Sequence, residues 1–148
     1  MTWREFEDAA PELAALGKER FERTGLVLVG TVRRDGSPRI SPVEPLIVED
    51  QLLLGMMWRS KKALDLLRDQ RCLVHSTVCN RDGTEGEFKL RGQALDVQDP
   101  HARERYSQAL YAKIGWRPEE PYHLFAVDIE SAAFIAYEDE KQTVKRWP

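Results

Sequence analysis

The apolar periodicity of this chain changes at Gly25, and that change limits what it can fold into. Upstream, Trp3, Phe6, Ala10, Leu13 and Leu16 recur at threes and fours, which predicts helix over 3–23. Pro11 fits a first turn and not a helix interior, so it restarts that helix. Downstream, Leu26-Val27-Leu28-Val29-Gly30-Thr31-Val32 is a near-continuous β-branched run, as in a strand covered on both faces. Arg34-Asp35-Gly36-Ser37 follows as a hairpin turn, because glycine tolerates positive φ. A second strand is expected from Arg39 to about Val48. Pro42 and Pro45 cannot donate to a ladder, so it belongs at an edge or carries a bulge. A third strand, Leu52 to Trp58, would complete a three-stranded meander.

Ser60 is a natural N-cap for a short helix from Lys61 to about Asp69. Strands resume at Cys72–Val78 and, after Asp82-Gly83, at Glu87–Asp96, where Phe88, Leu90, Gly92 and Ala94 alternate with polar residues. Asp99-Pro100 opens a helix through about Lys113. Leu124–Ile129, Ala132–Tyr137 and Thr143–Trp147 read as short strands. Seven or eight mostly antiparallel strands with short helices between them lose their exposed edges by closing, so a small mixed barrel is the expected architecture.

The whole chain of 148 residues reads as one domain, long enough to bury roughly two-thirds of its unfolded surface without staples. Its 42% apolar and 32% charged residues argue against disorder. A net charge of −3 gives nucleic acid no basic field to feel. No run approaches the roughly 18 apolar residues of a membrane span, and Met1-Thr2-Trp3-Arg4-Glu5 lacks a basic-then-apolar leader pattern. Two cysteines are too few for a disulfide framework or a four-ligand zinc site. A cytoplasmic protein with neither nucleic-acid nor membrane partners is expected.

The most informative stretch for chemistry is Arg59-Ser60-Lys61-Lys62 and the helix it opens. A helix N-terminus offers unpaired N–H groups and partial positive charge. A hydroxyl and three cations there make a phosphate cradle, against the plainer reading of a solvated amphipathic helix. Residues 33–71 hold eight basic and six acidic side chains, a mild excess suited to one small anion. The chain has no G-x-S-x-G elbow, Walker loop or H-E-x-x-H. Cys72 and His75, three apart, should point to opposite faces of a strand, which argues against a nucleophile–base pair. His123 could be a heme ligand or proton donor, but a surface or capping role is the default expectation. Trp58 adjoins the cradle and could pack beside a flat ligand. A phosphate cradle without an acid–base or nucleophilic set suggests a borrowed cofactor.

Three stretches carry a resemblance. They are Gly30-Thr31-Val32-Arg33-Arg34-Asp35-Gly36-Ser37-Pro38-Arg39-Ile40-Ser41-Pro42-Val43, then Ser60-Lys61-Lys62 with Leu66 and Arg68 to Arg71, then Gly86-Glu87-Phe88-Lys89-Leu90-Arg91-Gly92-Gln93-Ala94. In order and spacing the chain resembles the pyridoxamine 5'-phosphate oxidase-like family of flavin-binding split barrels. The resemblance implies a mainly β, α+β fold, an antiparallel six-stranded split barrel with short peripheral helices, spanning residues 1–148 with 1–24 as a helical lead-in. It implies a homodimer with the cofactor at the interface and a small-molecule substrate. FMN is the implied cofactor, with deazaflavin coenzyme F-420 and then heme as alternatives. Ser60 and Lys62 would hold the phosphate, with Lys61 or Arg59 assisting. Ser41, Pro42, Val43, Met56, Met57 and Trp58 would lie along the ring system, and Arg39 would join the site from the opening hairpin. The implied activity is hydride transfer to or from a small unsaturated or quinone-like substrate, the alternative being a non-catalytic binding module. Asp65 stands where the family often has Asn, and Gln70 where it often has Pro. A carboxylate beside a phosphate repels it unless it faces away. The founding oxidases carry an Arg/His-rich C-terminal substrate segment that Lys145-Arg146-Trp147 does not match, so that particular activity is not expected.

Overall fold

The computed structural model describes residues 1–148. Its elements run α1 (Trp3–Ala9), α2 (Pro11–Thr24), β1 (Val27–Val32), β2 (Pro38–Val43), β3 (Pro45–Val48), β4 (Gln51–Met57), α3 (Lys61–Arg68), β5 (Arg71–Ser76), β6 (Glu87–Asp96), α4 (Pro100–Ile114), β7 (Tyr122–Glu138) and β8 (Lys141–Trp147). All ladders are antiparallel, in the order β2-β1-β5-β6-β7-β4-β3, with β8 on the far half of β7. The two ends of that order, β2 and β3, are consecutive in the chain, so the sheet curls into a barrel that is split between them. No helix is long and apolar enough to cross a membrane.

The sequence pattern accounts for most of this. Pro11 starts α2, and Gly25 ends it in the left-handed region at φ 71°. The prolines put β2 and β3 at the sheet's ends, as expected of strands that lack donors. Three details differ from expectation. The predicted strand from Arg39 to Val48 is two strands that part at Glu44, and they belong to separate hairpins rather than a meander. The sheet holds eight strands, the upper of the two counts the pattern allowed and two more than the six of the resemblance. The two strands expected at Leu124–Ile129 and Ala132–Tyr137 are one strand of 17 residues. Its partner register jumps between Arg91 and Gly92, from Ser131 to Ile129, so Glu130 is an extra residue in the ladder. That bulge breaks the in–out alternation and reads in the sequence as a strand end.

Inside the barrel, Val27, Val29, Leu54, Val74, Leu90, Phe125 and Val127 form one continuous core. The helices α1 and α2 lay Trp3, Phe6 and Phe21 over one end against Phe88, with Phe21 and Phe88 edge-to-face at 5.5 Å. The helix α4 covers the outside of β3, β4 and β7 with a second cluster of Leu46, Leu53, Tyr106, Leu110 and Leu124. This is why β4 and the first half of β7 show no alternation of buried and exposed residues: both of their faces are buried. The run at β1 is different. Its outward residue Leu28 lies beside Pro42 and His75, and Ile40, Gly30 and Leu73 line up across β2, β1 and β5. Ile40 is 70% exposed, and Leu28 and Leu73 are exposed too. That outer face has no cover within the chain.

Candidate functional site

At the barrel end opposite α1 and α2, β4 runs out into a tight turn and then α3. The turn closes with Ser60 N–H donating to the Met57 carbonyl at 3.1 Å. Its third residue, Arg59, is left-handed at φ 57°, an unfavourable conformation for a side chain with a Cβ. The Arg59 N–H is not used by the turn itself and donates to His123 Nε2 at 3.1 Å. The expectation that His123 sits at the surface is therefore corrected. It is the second residue of β7, only 6% exposed, and stacked on Trp58 at 4.5 Å with an interplanar angle of 13°. Burial lowers its pKa from the usual 6.5, with nearby Asp96 working the other way and Arg103 adding to the fall. The ring is neutral at pH 7 and accepts through Nε2, which puts its proton on Nδ1.

Ser60 occupies the N-cap position of α3, but its side chain makes no capping bond. Its Oγ is buried and has no partner in the protein. The first backbone bond of the helix runs from Leu64 N–H to the Ser60 carbonyl. The N–H groups of Lys61, Lys62 and Ala63 therefore face outward from the helix end. An unpartnered buried hydroxyl is costly unless something fills its bonding capacity.

Asp65 does face away from that end. It is buried, accepts from Thr31 Oγ1 at 2.7 Å and Arg39 Nε at 2.7 Å, and from Arg68 at 3.2 Å. Burial pushes its pKa up, but the hydrogen bonds from Arg39, Thr31 and Arg68 outweigh that and hold the carboxyl below its usual range. This cluster pins α3 to β1 and β2, and it ties Arg39 to Asp65. On the same side, Arg33, Arg34, Lys61 and Arg68 ring a shallow groove of about 460 Å³ that also includes Arg39 and Asp65.

On the other side of the turn lies a cavity of about 510 Å³. Pro42, Val43, Met56, Met57, Trp58 and Lys62 line it, so six of the expected site residues converge. Ser41 does not line it; that residue is on the inner register of β2, opposite Val29. Arg59, Ser60 and Lys61 form the adjoining turn and helix end. Sequence reasoning missed the opposite wall: Tyr106 and Leu110 from α4, Trp116 from the following loop, and Tyr122 from β7. Gly55 makes room for Tyr106, since a Cβ there would lie 2.2 Å from its hydroxyl oxygen. The spacing Tyr106–Leu110 on one helix face was the available signal, but it reads equally as core. Cys72 and His75 point to opposite faces as expected, and burial lifts the Cys72 thiol to about 12, which removes it as a nucleophile.

The sequence profile of the pyridoxamine 5'-phosphate oxidase family matches residues 15–136. The chain belongs to that family. Among curated proteins no relative matches it. Solved structures of pyridoxamine 5'-phosphate oxidase-like split barrels share its fold at low identity. A protein from Clostridium acetobutylicum related to general stress protein 26 of B. subtilis superposes with a TM-score of 0.65 at 16% identity, over 88% of this chain and 91% of the other. PhzG from Burkholderia lata, solved with tetrahydrophenazine-1-carboxylic acid, gives 0.60 at 10% identity, over 97% and 92%. A heme binding protein from Mycobacterium smegmatis gives 0.64 at 13% identity; it is matched by 88% of this chain, which spans only 57% of its length. At these identities the likeness carries the family's fold, and the site must be argued from its own residues.

Proposed function

We propose that this family member binds FMN and acts as an oxidoreductase on a small unsaturated or quinone-like substrate. The observation that carries this reading is the buried Ser60 hydroxyl without a partner, at a helix end whose N–H groups are free, beside a cavity lined by Lys62 and Trp58. The residues present fit the group. Ser60 Oγ, the N–H groups of Lys61 to Ala63 and the Lys62 ammonium would hold the phosphate. Pro42, Val43, Met56, Met57 and Trp58 supply an apolar bed for a flat ring, and Tyr106, Trp116 and Tyr122 the wall across from it. FMN, when bound, supplies the hydride chemistry. The protein's part is orientation and exclusion of water, with no side chain forming a covalent bond.

The uncovered outer face of β2, β1 and β5 supports a homodimer, since a twofold pairing would present the same patch from both chains. The groove beyond Lys61 favours deazaflavin coenzyme F-420 as the second reading, because its cations outnumber what one phosphate needs. Heme is disfavoured at His123, whose Nε2 is already engaged and whose ring is covered by Trp58.

Visible absorption of the purified protein, followed by titration with FMN, F-420 and heme, tests the choice. Lys62→Ala should weaken FMN binding about tenfold, the value of one charge-assisted contact, with an unchanged melting temperature. Unchanged affinity would remove Lys62 from the cradle. Reduction of the bound group by NADPH and reoxidation by an acceptor would separate an enzyme from a storage or sensing module.

A further inference from the structure

The bond from Arg59 N–H to His123 Nε2 joins two parts of the chain 64 residues apart. His123 lies in register opposite Met56, one residue before β4 ends, so its ring reaches over the turn that β4 feeds. Arg59 is left-handed without being glycine, and the turn's own closing bond leaves its N–H free. The long-range bond is what takes up that N–H. The ring is stacked on Trp58 at 4.5 Å and lies 6.2 Å from the ring of Phe125.

We infer that His123 is a positioning residue for the phosphate end of the cofactor site: neutral, it latches the Arg59 turn and so aims Ser60 and the first N–H groups of α3, and protonated, it releases them. The inference rests on the cradle reading above. A protonated imidazole has no lone pair for the Arg59 N–H and would oppose one N–H with another. The charged groups that line the groove beside the ring are Asp96 at the end of β6, Arg103 and Glu104 on α4 and Glu120 ahead of β7, while Arg59 meets the ring through its main chain. Arg103 is held by Glu120 at 3.0 Å and by the Tyr122 carbonyl at 2.8 Å, so it stays beside the ring across the range in which the ring titrates. Burial and Arg103 favour the latched, neutral form, and Asp96 opposes it.

Two variants separate the parts played by the ring. His123→Gln keeps an acceptor near Nε2 that does not titrate, and His123→Phe keeps the ring without an acceptor. Two readouts are needed: backbone amide NMR of Arg59, Ser60 and Lys61 in the protein without added cofactor from pH 8 to pH 5, and FMN affinity over the same range. The expected result is a single titration of the Arg59 amide in the wild type that vanishes in the Gln variant. FMN affinity should fall about tenfold more steeply in the wild type than in Gln, and the Phe variant should bind weakly even at pH 8. The phosphate of FMN has its own second pKa at about 6, and the Gln variant shares that effect and so cancels it. Equal pH profiles for wild type and Gln, or an Arg59 amide that does not move, would overturn the latch. A wild type that ignores FMN at pH 8 while its Arg59 amide still titrates would instead refute the flavin reading and support the latch.

Discussion

Asp65→Asn would leave Arg39 and Arg68 facing a neutral amide under α3. The carboxylate accepts three hydrogen bonds, two of them from guanidinium groups that are themselves partly exposed. Water can reach the stranded arginines, so the expected loss is about 2 kcal/mol and not the larger cost of a fully buried unpaired charge. Urea unfolding at pH 7 measures it. The same residue sets an acid limit. Its folded pKa lies below the usual 3.8, so on acidification the unfolded chain takes up the proton first. The stabilisation is whole above roughly pH 5 and is lost as pH falls through the folded value. The gap between wild type and Asp65→Asn should therefore close below roughly pH 4. His123 has the same direction of dependence for a different reason. Its neutral form is the one the fold prefers, so its contribution is present above the usual 6.5 and falls away on acidification towards its lowered pKa. The sequence announced the hydroxyl and cations at 59–62 because capping residues are local. It could not announce that Asp65 closes a triad with Thr31 and Arg39, or that His123 holds Arg59, because both depend on which strands meet.

Gly92 is the point at which the β6–β7 ladder changes register. A Cβ there would sit 2.0 Å from the Asp128 carbonyl oxygen, which is backbone and cannot swing aside. Gly92→Ala should cost about 3 kcal/mol or prevent folding at 37 °C, read as a loss of cooperative thermal unfolding. A neutral result would mean that the bulge tolerates a shift of the whole strand. Elements with strong local signals were legible: α3 and α4 begin where Ser60 and Asp99 mark them, and β6 spans the residues its alternation predicts. The two misread elements have one cause. At Glu44 the alternation runs on unbroken while the ladder partner changes from β1 to β4, so one apparent strand is two; at Glu130 the ladder partner stays the same while the bulge breaks the alternation, so two apparent strands are one. Local periodicity reports which faces are buried and not which ladder a residue joins.

The contrast between β1 and β4 matters for the molecule as a whole. The β1 run was expected to be covered on two faces, yet within the chain it is β4 that has such cover, because α4 lies over it. If a second copy covers β2, β1 and β5, then Ile40→Asp combined with Leu73→Asp should convert a dimer to a monomer by light scattering. It should also abolish any rise of melting temperature with protein concentration, because an interface stabilises by mass action. A wild type that is monomeric at micromolar concentration would sink the dimer reading.

The two ends of the proposed ligand are built from different materials. The phosphate end is mostly main chain, a strained turn and a helix end held by Asp65 and His123, with Ser60 and Lys62 added to it. The far wall of the cavity is side chain, supplied by α4 and the loop running through Trp116 to Tyr122. Such a division lets selection rewrite one without the other. Substitutions at Tyr106, Leu110 or Trp116 can reshape what is recognised while the anchor stays intact, which would make residues 100–122 the natural place to look for divergence of specificity among descendants of this scaffold, and the first segment to graft when retargeting it.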